Sequence, residues 1–217
     1  LDILEGELGL GNAMSEGAVW SEVASTLGHE FNITRLTFKN HIGCGHTFPS
    51  IDGAMFLKET HGFIADDIEK IELGVYRPTL DIAGHTHPKT ADEAKFSINY
   101  MVASALVFGS VRLSAFEPNR LNDPLTQSLV SRIHAALDAS VDADFPKRRS
   151  ARVKIFLKDG RVFEHLQPDR KGDPELPLTD ADLEGKLIEL AGPLIGKAQA
   201  ETLLKRIWNL TNSESLP

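Results

Sequence analysis

Residues 38–62 read FKNHIGCGHTFPSIDGAMFLKETHG, a glycine-rich loop followed by a run with helical periodicity. Just before the loop, apolar residues alternate loosely with polar ones, which predicts a half-buried strand over residues 31–39. In the second half, apolar residues recur at helical spacing and end at a glycine, which predicts a helix over residues 50–62. The chain is therefore expected to pass from a strand, through the loop, into a helix.

The loop has the composition of an anion-binding site. Gly43 and Gly45 allow successive backbone N–H groups to point in the same direction. The start of the predicted helix adds further N–H hydrogen-bond donors and the positive end of the helix dipole. Lys39, His41 and His46 add positive charge or proton-transfer capacity. We therefore predict that Lys39, His41 and Gly45 contact a carboxylate substrate. The alternative is an ordinary strand-to-helix turn with a solvated lysine.

Two histidine patterns raise the question of a metal site. His41, Cys44 and His46 offer three possible ligands, and His85 and His87 form a His-x-His pair further along the chain. Zinc sites usually carry a fuller ligand set at recognised spacing, and neither pattern has one. We therefore expect no metal site, and we interpret His85 and His87 as exposed loop residues.

Composition excludes several classes of protein. The 217 residues are 41% hydrophobic, enough to bury a substantial core. Lys and Arg number 23 against 31 Asp and Glu, a net charge of −8, so nucleic acid is not an expected partner. A single cysteine excludes an internal disulfide framework, and no apolar run approaches the roughly 18 residues that a membrane span requires. These features favour a cytoplasmic protein that has no membrane partner.

The predicted elements favour an α+β fold with an antiparallel sheet and flanking helices. Further strands are predicted over residues 67–77, 151–157 and 161–166, the last two as a hairpin around Asp159-Gly160. Further helices are predicted over residues 90–109, 125–134, 179–192 and 197–210. Three prolines and a glycine mark residues 168–178 as a linker, so we divide the chain into residues 1–167, 168–178 and 179–217.

Four stretches of the chain resemble the MmgE/PrpD family, which includes 2-methylcitrate dehydratase, cis-aconitate decarboxylase and iminodisuccinate epimerase. They occur in the family's order and read FKNHIGCGHTFPSIDGAM, DEAKFSINYMVASAL, RVKIFLKDGR and KGDPELPLTDADLEGKL. The resemblance implies that residues 1–167 form the family's lid domain, and that the two terminal helices belong to an all-α domain whose N-terminal part is missing. It also implies a homodimer that binds a small di- or tricarboxylate without a cofactor.

The resemblance further implies roles for individual residues. Lys39 matches the family's carboxylate-binding lysine. His46 is a looser match to its proton-transferring histidine, because it precedes Asp52 by more residues than in the dehydratases. The loop is more similar to the epimerase branch, which places a cysteine near a histidine, so Cys44 and His46 are the candidate catalytic residues. Ser97 is a candidate substrate contact, with a hydroxyl bonded to its own helix backbone as the alternative.

The leading hypothesis is therefore the lid half of an epimerase that acts on a dicarboxylate of the iminodisuccinate type by proton transfer next to a carboxylate. The alternatives are a fragment of a 2-methylcitrate-type dehydratase and a carboxylate-binding module without catalytic activity. Whether the chain is an enzyme by itself stays open, because the resemblance places most acid–base residues in the missing helical domain.

Overall fold

The computed structural model describes residues 3–23 and 25–212. The chain divides into two units, Leu1–Leu36 and Thr37–Pro217. The division of the chain into residues 1–167, 168–178 and 179–217 stays a prediction. Residues 1–2 of the first segment and 213–217 of the last lie outside the part of the chain that the structure describes. Among the described residues, no helix combines the length and the apolar character needed to cross a bilayer.

The first unit corrects one prediction. Its helices are α1 (Leu10–Met14), α2 (Trp20–Val23) and a 3₁₀ helix (Asn32–Arg35). The strand predicted over residues 31–39 is wrong, because the 3₁₀ helix occupies its first half and residues 36–39 are not in a strand. Thr34 donates from its backbone N–H and its hydroxyl to the Phe31 carbonyl, at 3.0 and 2.8 Å, and so closes a turn. Phe31 is 63% exposed, so the alternation in this segment does not reflect burial.

The second unit contains the sheet and the remaining helices, which confirms the α+β class. Its strands are β1 (Ile68–Val75), β2 (Ile133–Leu137), β3 (Ala151–Leu157) and β4 (Val162–Gln167). Its α-helices within the described residues are α3 (Phe48–His61), α4 (Arg77–Ala83), α5 (Ala91–Lys95), α6 (Ile98–Phe108), α7 (Pro118–Leu121), α8 (Pro124–Val130), α9 (Ala139–Ala143), α10 (Asp180–Ile195) and α11 (Lys197–Trp208).

The sheet is mixed, where an antiparallel sheet was predicted. Its strand order is β2-β1-β3-β4. β1 pairs antiparallel with β3, and β3 pairs antiparallel with β4 in the predicted hairpin. β2 runs parallel to β1, with Ile133 opposite Ile71. The difference arises because helices α4 to α8 carry the chain across the sheet between these two strands, and a crossover returns the second strand in the same direction.

Helix α3 positions the predicted loop. It begins at Phe48, slightly before the predicted start, and Gly62 ends it with the left-handed φ of +67° that glycine tolerates. Phe48 and Ile51 in its first turns are buried in the core. The helix packs against β3 and β4, and α6 packs against α3. Because its first turn is buried, α3 holds the preceding residues, 39–47, against the core.

Two further differences concern helix ends. The helix predicted over residues 90–109 is interrupted at Phe96, and Ser97 begins α6 as its cap. The two predicted C-terminal helices are confirmed as α10 and α11, but Pro193 lies inside α10. Gly196, at φ +83°, separates the two helices instead. Pro193 removes its own N–H donor to the carbonyl four residues earlier, and α10 ends only two residues later, at Ile195.

Candidate functional site

The loop of residues 39–47 is held by a backbone hydrogen bond to the end of α5. The Cys44 N–H donates to the Lys95 carbonyl at 2.9 Å, and a short 3₁₀ helix, Gly45–Thr47, leads into α3. Gly43 has a φ of +109°, and a Cβ at this position would lie 2.8 Å from Met101 Cε and 2.9 Å from the Lys95 carbonyl oxygen. Only glycine fits here, so the loop requires it for steric reasons.

His46 pairs with a tyrosine that the sequence did not indicate. Its Nδ1 lies 2.9 Å from the hydroxyl of Tyr76, and Phe145 stacks on the Tyr76 ring with centroids 4.6 Å apart. Burial lowers the pKa of His46, and the positive charges of Arg149 and Arg170 lower it further. Burial raises the pKa of Tyr76. At neutral pH the imidazole is therefore neutral and the phenol protonated, so the imidazole is in the form that can accept a proton from a substrate.

Cys44 and Gly45 lie beside this pair. The Cys44 thiol is buried, and it is close enough to Tyr76 to contribute to raising the tyrosine pKa. Gly45 accepts a hydrogen bond from Arg170 Nη1 at 3.4 Å, and a Cβ on Gly45 would lie 2.9 Å from the same atom. Arg170 is itself fixed by Asp173, at 2.6 and 2.8 Å. Gly45 therefore lets a buried guanidinium approach the loop backbone.

Lys39 lies over the outer side of the loop. Its ammonium donates to the Gly43 carbonyl at 3.2 Å, and its own carbonyl accepts a hydrogen bond from Lys186 on α10. The Lys39 side chain is exposed, and an ammonium has three N–H donors. Donors therefore remain on Lys39 for a carboxylate, and the substrate contact predicted for it stays a prediction.

His41 is buried and pairs with a side chain of α3. Its Nε2 lies 2.9 Å from Asp52 Oδ1 on α3, and the two side chains are 8% and 9% exposed. The other Asp52 oxygen accepts the Lys171 backbone N–H at 2.8 Å. The buried pair thus joins three segments: the loop, α3 and residues 168–178. The substrate contact predicted for His41 is untested, and its observed contacts are structural.

Ser97 is the N-terminal cap of α6. Its hydroxyl accepts the Tyr100 N–H at 3.1 Å, and the residue is fully buried. The structure thus contains the hydrogen bond to its own helix that was the alternative interpretation. A contact between Ser97 and a substrate stays a prediction.

The histidines and acids do not converge on a metal position. Among the described residues, no group of three His, Cys, Asp or Glu side chains is placed to hold an ion. His85 and His87 are exposed in a loop, as predicted.

Sequence reasoning missed Tyr76, Asp52 and Arg170 as parts of the site. Tyr76 follows β1 and Arg170 follows β4, so each reaches the loop only through the tertiary fold. Asp52 lies on the face of α3 that meets the loop, one turn after Phe48. No local pattern signals these contacts, because each joins residues that are distant in the chain or depends on the loop's path.

The chain is similar in sequence to known proteins. The family model for the MmgE/PrpD C-terminal domain matches residues 41–210. The cis-aconitate decarboxylase-like protein oryM of Aspergillus oryzae is 27% identical over 202 residues, which are 88% of this chain and 41% of that protein. Mouse (Mus musculus) cis-aconitate decarboxylase is 25% identical over 152 residues, 70% of this chain and 30% of that protein.

A bacterial enzyme is similar as well. The 2-methylcitrate dehydratase of Escherichia coli K12 is 29% identical over 129 residues, 56% of this chain and 27% of that protein. The chain therefore spans less than half the length of the relatives it matches. Since the family model covers most of the chain and includes nearly all of the loop, α3, the sheet and α10, this chain belongs to the MmgE/PrpD family and corresponds to its C-terminal domain.

Proposed function

We propose that this chain provides the carboxylate-binding and proton-transfer loop of a lyase that acts on a polycarboxylate. The observation that carries the proposal is the 2.9 Å hydrogen bond between His46 Nδ1 and the Tyr76 hydroxyl. Removing a proton from a carbon next to a carboxylate needs a positioned acid–base group, which this pair supplies. The names of two relatives, a cis-aconitate decarboxylase and a 2-methylcitrate dehydratase, support a tricarboxylate substrate.

In this proposal His46 accepts the proton and Lys39 holds a carboxylate. Neutral imidazole is the form that accepts a proton, and the lowered pKa of His46 maintains it at neutral pH. Tyr76 fixes the ring through Nδ1, which leaves Nε2 for the substrate. The Lys39 ammonium stabilises the negative charge that develops on the carboxylate as the proton leaves.

An epimerase acting on a dicarboxylate of the iminodisuccinate type is the second candidate, and the position of Cys44 favours it. Epimerisation removes a proton from one face of a carbon and returns one to the other, so it needs two proton-transfer groups. The buried Cys44 thiol lies two residues before His46 on the same loop. The two candidates differ in product, because a lyase creates a double bond or releases carbon dioxide, whereas an epimerase yields an isomer of the substrate.

Replacing His46 with glutamine should lower kcat by about 10²- to 10⁴-fold, the range typical for loss of a general acid–base group. In the wild type, kcat/KM should fall as the pH drops through the His46 pKa, below its ordinary value of 6.5, because protonated imidazole cannot accept a proton. Proton NMR of cis-aconitate and 2-methylcitrate, incubated with the whole protein that carries this chain, measures both quantities.

The matched control is His85→Gln, which changes an exposed loop histidine. Equal rates for the His46→Gln variant and the wild type would contradict the assigned role. Binding of polycarboxylates without any turnover by the whole protein would favour the carboxylate-binding module instead. The homodimer, like the substrate, is a proposal that rests on the family resemblance.

A further inference from the structure

Three positively charged side chains meet where α10 approaches the loop of residues 39–47. The Lys186 ammonium on α10 donates to the backbone carbonyl of Lys39. Arg112, which follows α6, donates through Nη2 to the neighbouring Asn40 at 3.2 Å. Within residues 3–23 and 25–212, the only ion pair of these three cations joins Arg112 Nε to Glu189 on α10, at 3.5 Å. Lys39 and Lys186 therefore bring two positive charges to the loop without an ion pair.

The neighbouring charges act on Lys186. Burial lowers the pKa of Lys186, and the positive charges of Arg112 and Lys39 lower it further, while Glu189 opposes them. Positive charges held near one another repel, and a negatively charged ligand between them offsets that repulsion. The arrangement therefore suits an anion better than a neutral or positively charged ligand.

Both ammonium groups keep hydrogen-bond donors for such a ligand. An ammonium has three N–H donors. Lys39 uses one on the Gly43 carbonyl, at 3.2 Å, and Lys186 uses one on the Lys39 carbonyl. Lys39 is exposed and Lys186 is half-buried, so solvent reaches both side chains. Each ammonium therefore retains N–H groups that can donate to a carboxylate.

The contact between Lys186 and Lys39 also limits the distance between their ammonium groups. The path from one to the other consists of a hydrogen bond, the Lys39 carbonyl and the Lys39 side chain, which together span at most about 11 Å. A five-carbon chain with a carboxylate at each end, and a charge-assisted bond of about 2.8 Å to each ammonium, spans a similar distance. One small polycarboxylate is therefore long enough to reach both lysines.

We propose that Lys186 is a second carboxylate-binding residue of the loop: Lys39 binds one carboxylate of the substrate and Lys186 binds another. This inference rests on the proposed function, and it narrows the substrate class to compounds that carry two carboxylates on a short carbon chain. A monocarboxylate would leave one of the two ammonium groups without its acceptor. The alternative is a structural role, in which Lys186 only holds α10 against the loop.

Isothermal titration of the full chain with glutarate and with its monoamide tests this proposal. The two compounds have nearly the same length and shape, and the monoamide lacks one negative charge. We expect the wild type to bind glutarate at least about tenfold more tightly than the monoamide, the effect of one charge-assisted hydrogen bond. Lys186→Gln should remove most of this preference, whereas Lys186→Arg, which keeps the charge, should retain it. The matched control is Lys205→Gln, which removes an exposed lysine on α11 and should behave as the wild type.

A readout on the unmutated chain separates ligand binding from a structural role. Carbon NMR of the lysine side chains, recorded as a function of pH, gives the pKa of Lys186 with and without glutarate. A bound carboxylate favours the charged ammonium, so glutarate should raise the pKa of Lys186 and leave the pKa of Lys89, in an exposed loop, unchanged. A role confined to holding α10 predicts no such rise.

The Lys39→Ala variant distinguishes this inference from the proposed function. Weaker glutarate binding by Lys39→Ala, with an unchanged glutarate preference in Lys186→Gln, would overturn the inference and leave the proposed function intact. Loss of the preference in Lys186→Gln, with unchanged binding by Lys39→Ala, would support the role of Lys186 and contradict that of Lys39. Equal affinities of the wild type for glutarate and its monoamide would overturn the inference as well.

Discussion

Replacing Gly43 with alanine should destabilise the second unit by roughly 3 kcal/mol, combining backbone strain with overpacking. The φ of +109° at this position is one that side chains rarely adopt. The added Cβ would also lie 2.9 Å from the Lys95 carbonyl oxygen, a backbone atom that cannot move alone. The loop would have to leave its contact with α5, so the variant should also disturb the hydrogen bond between His46 and Tyr76.

Urea denaturation measures this loss, and Gly185→Ala is the matched control. Gly185 lies inside α10, and nothing lies within 4 Å of a Cβ placed there. Alanine in a helix interior is more favourable than glycine by about 0.5–1 kcal/mol, so the control should be slightly stabilised. Equal stabilities for the two variants would mean that the loop does not hold the conformation described for Gly43.

Asp52→Ala should cost about 1–3 kcal/mol, since removing one partner of a buried hydrogen bond leaves the other polar group without compensation. Both the His41 imidazole and the Lys171 N–H would lose their acceptor. Alanine is a good helix former, so the loss would not reflect the helix propensity of α3. The midpoint of urea denaturation reports the change.

Asp81→Ala, at an exposed position on α4, serves as the control and should stay close to wild type. The double variant His41→Leu, Asp52→Leu should lose less stability than the sum of the His41→Leu and Asp52→Leu single variants, because neither buried polar side chain is left without its partner. Additive losses would show that the His41–Asp52 pair does not connect the loop to α3.

Local signals in the sequence predicted local structure well. Gly62 at the end of α3, the start of α8 within one residue of position 125 and the Asp159-Gly160 turn of the hairpin each agree with the sequence prediction. These signals work because capping and turn geometry depend on a few neighbouring residues. The α+β class could be predicted because it depends only on which helices and strands the chain contains.

Non-local structure did not follow from the sequence. β2 pairs parallel with β1 across more than fifty residues, and no local pattern specifies that partner. The alternation near Phe31 resembled a strand, yet the segment has no sheet to join and forms a 3₁₀ turn. Ser97 interrupts a continuous helical pattern because its hydroxyl caps α6. In each case tertiary contacts or a single side-chain hydrogen bond decided the outcome.

The candidate site shows the same division. The sequence and the family resemblance indicated the loop of residues 39–47 as the candidate site. They did not indicate which way its side chains are directed. His41 and His46 are five positions apart, and one joins Asp52 inside the protein while the other joins Tyr76. Both partners are brought to the loop by the fold, so the sequence alone could not separate a structural histidine from a candidate catalytic one.

The central claim is that the loop of residues 39–47 binds a polycarboxylate through Lys39. Isothermal titration of the chain with citrate tests it most directly, with Lys39→Ala as the variant and Lys89→Ala, in an exposed loop, as the control. We expect Lys39→Ala to weaken binding by about tenfold or more, the effect of losing one charge-assisted contact, and the control to match wild type. Equal affinity of the Lys39→Ala variant and the wild type would contradict the claim.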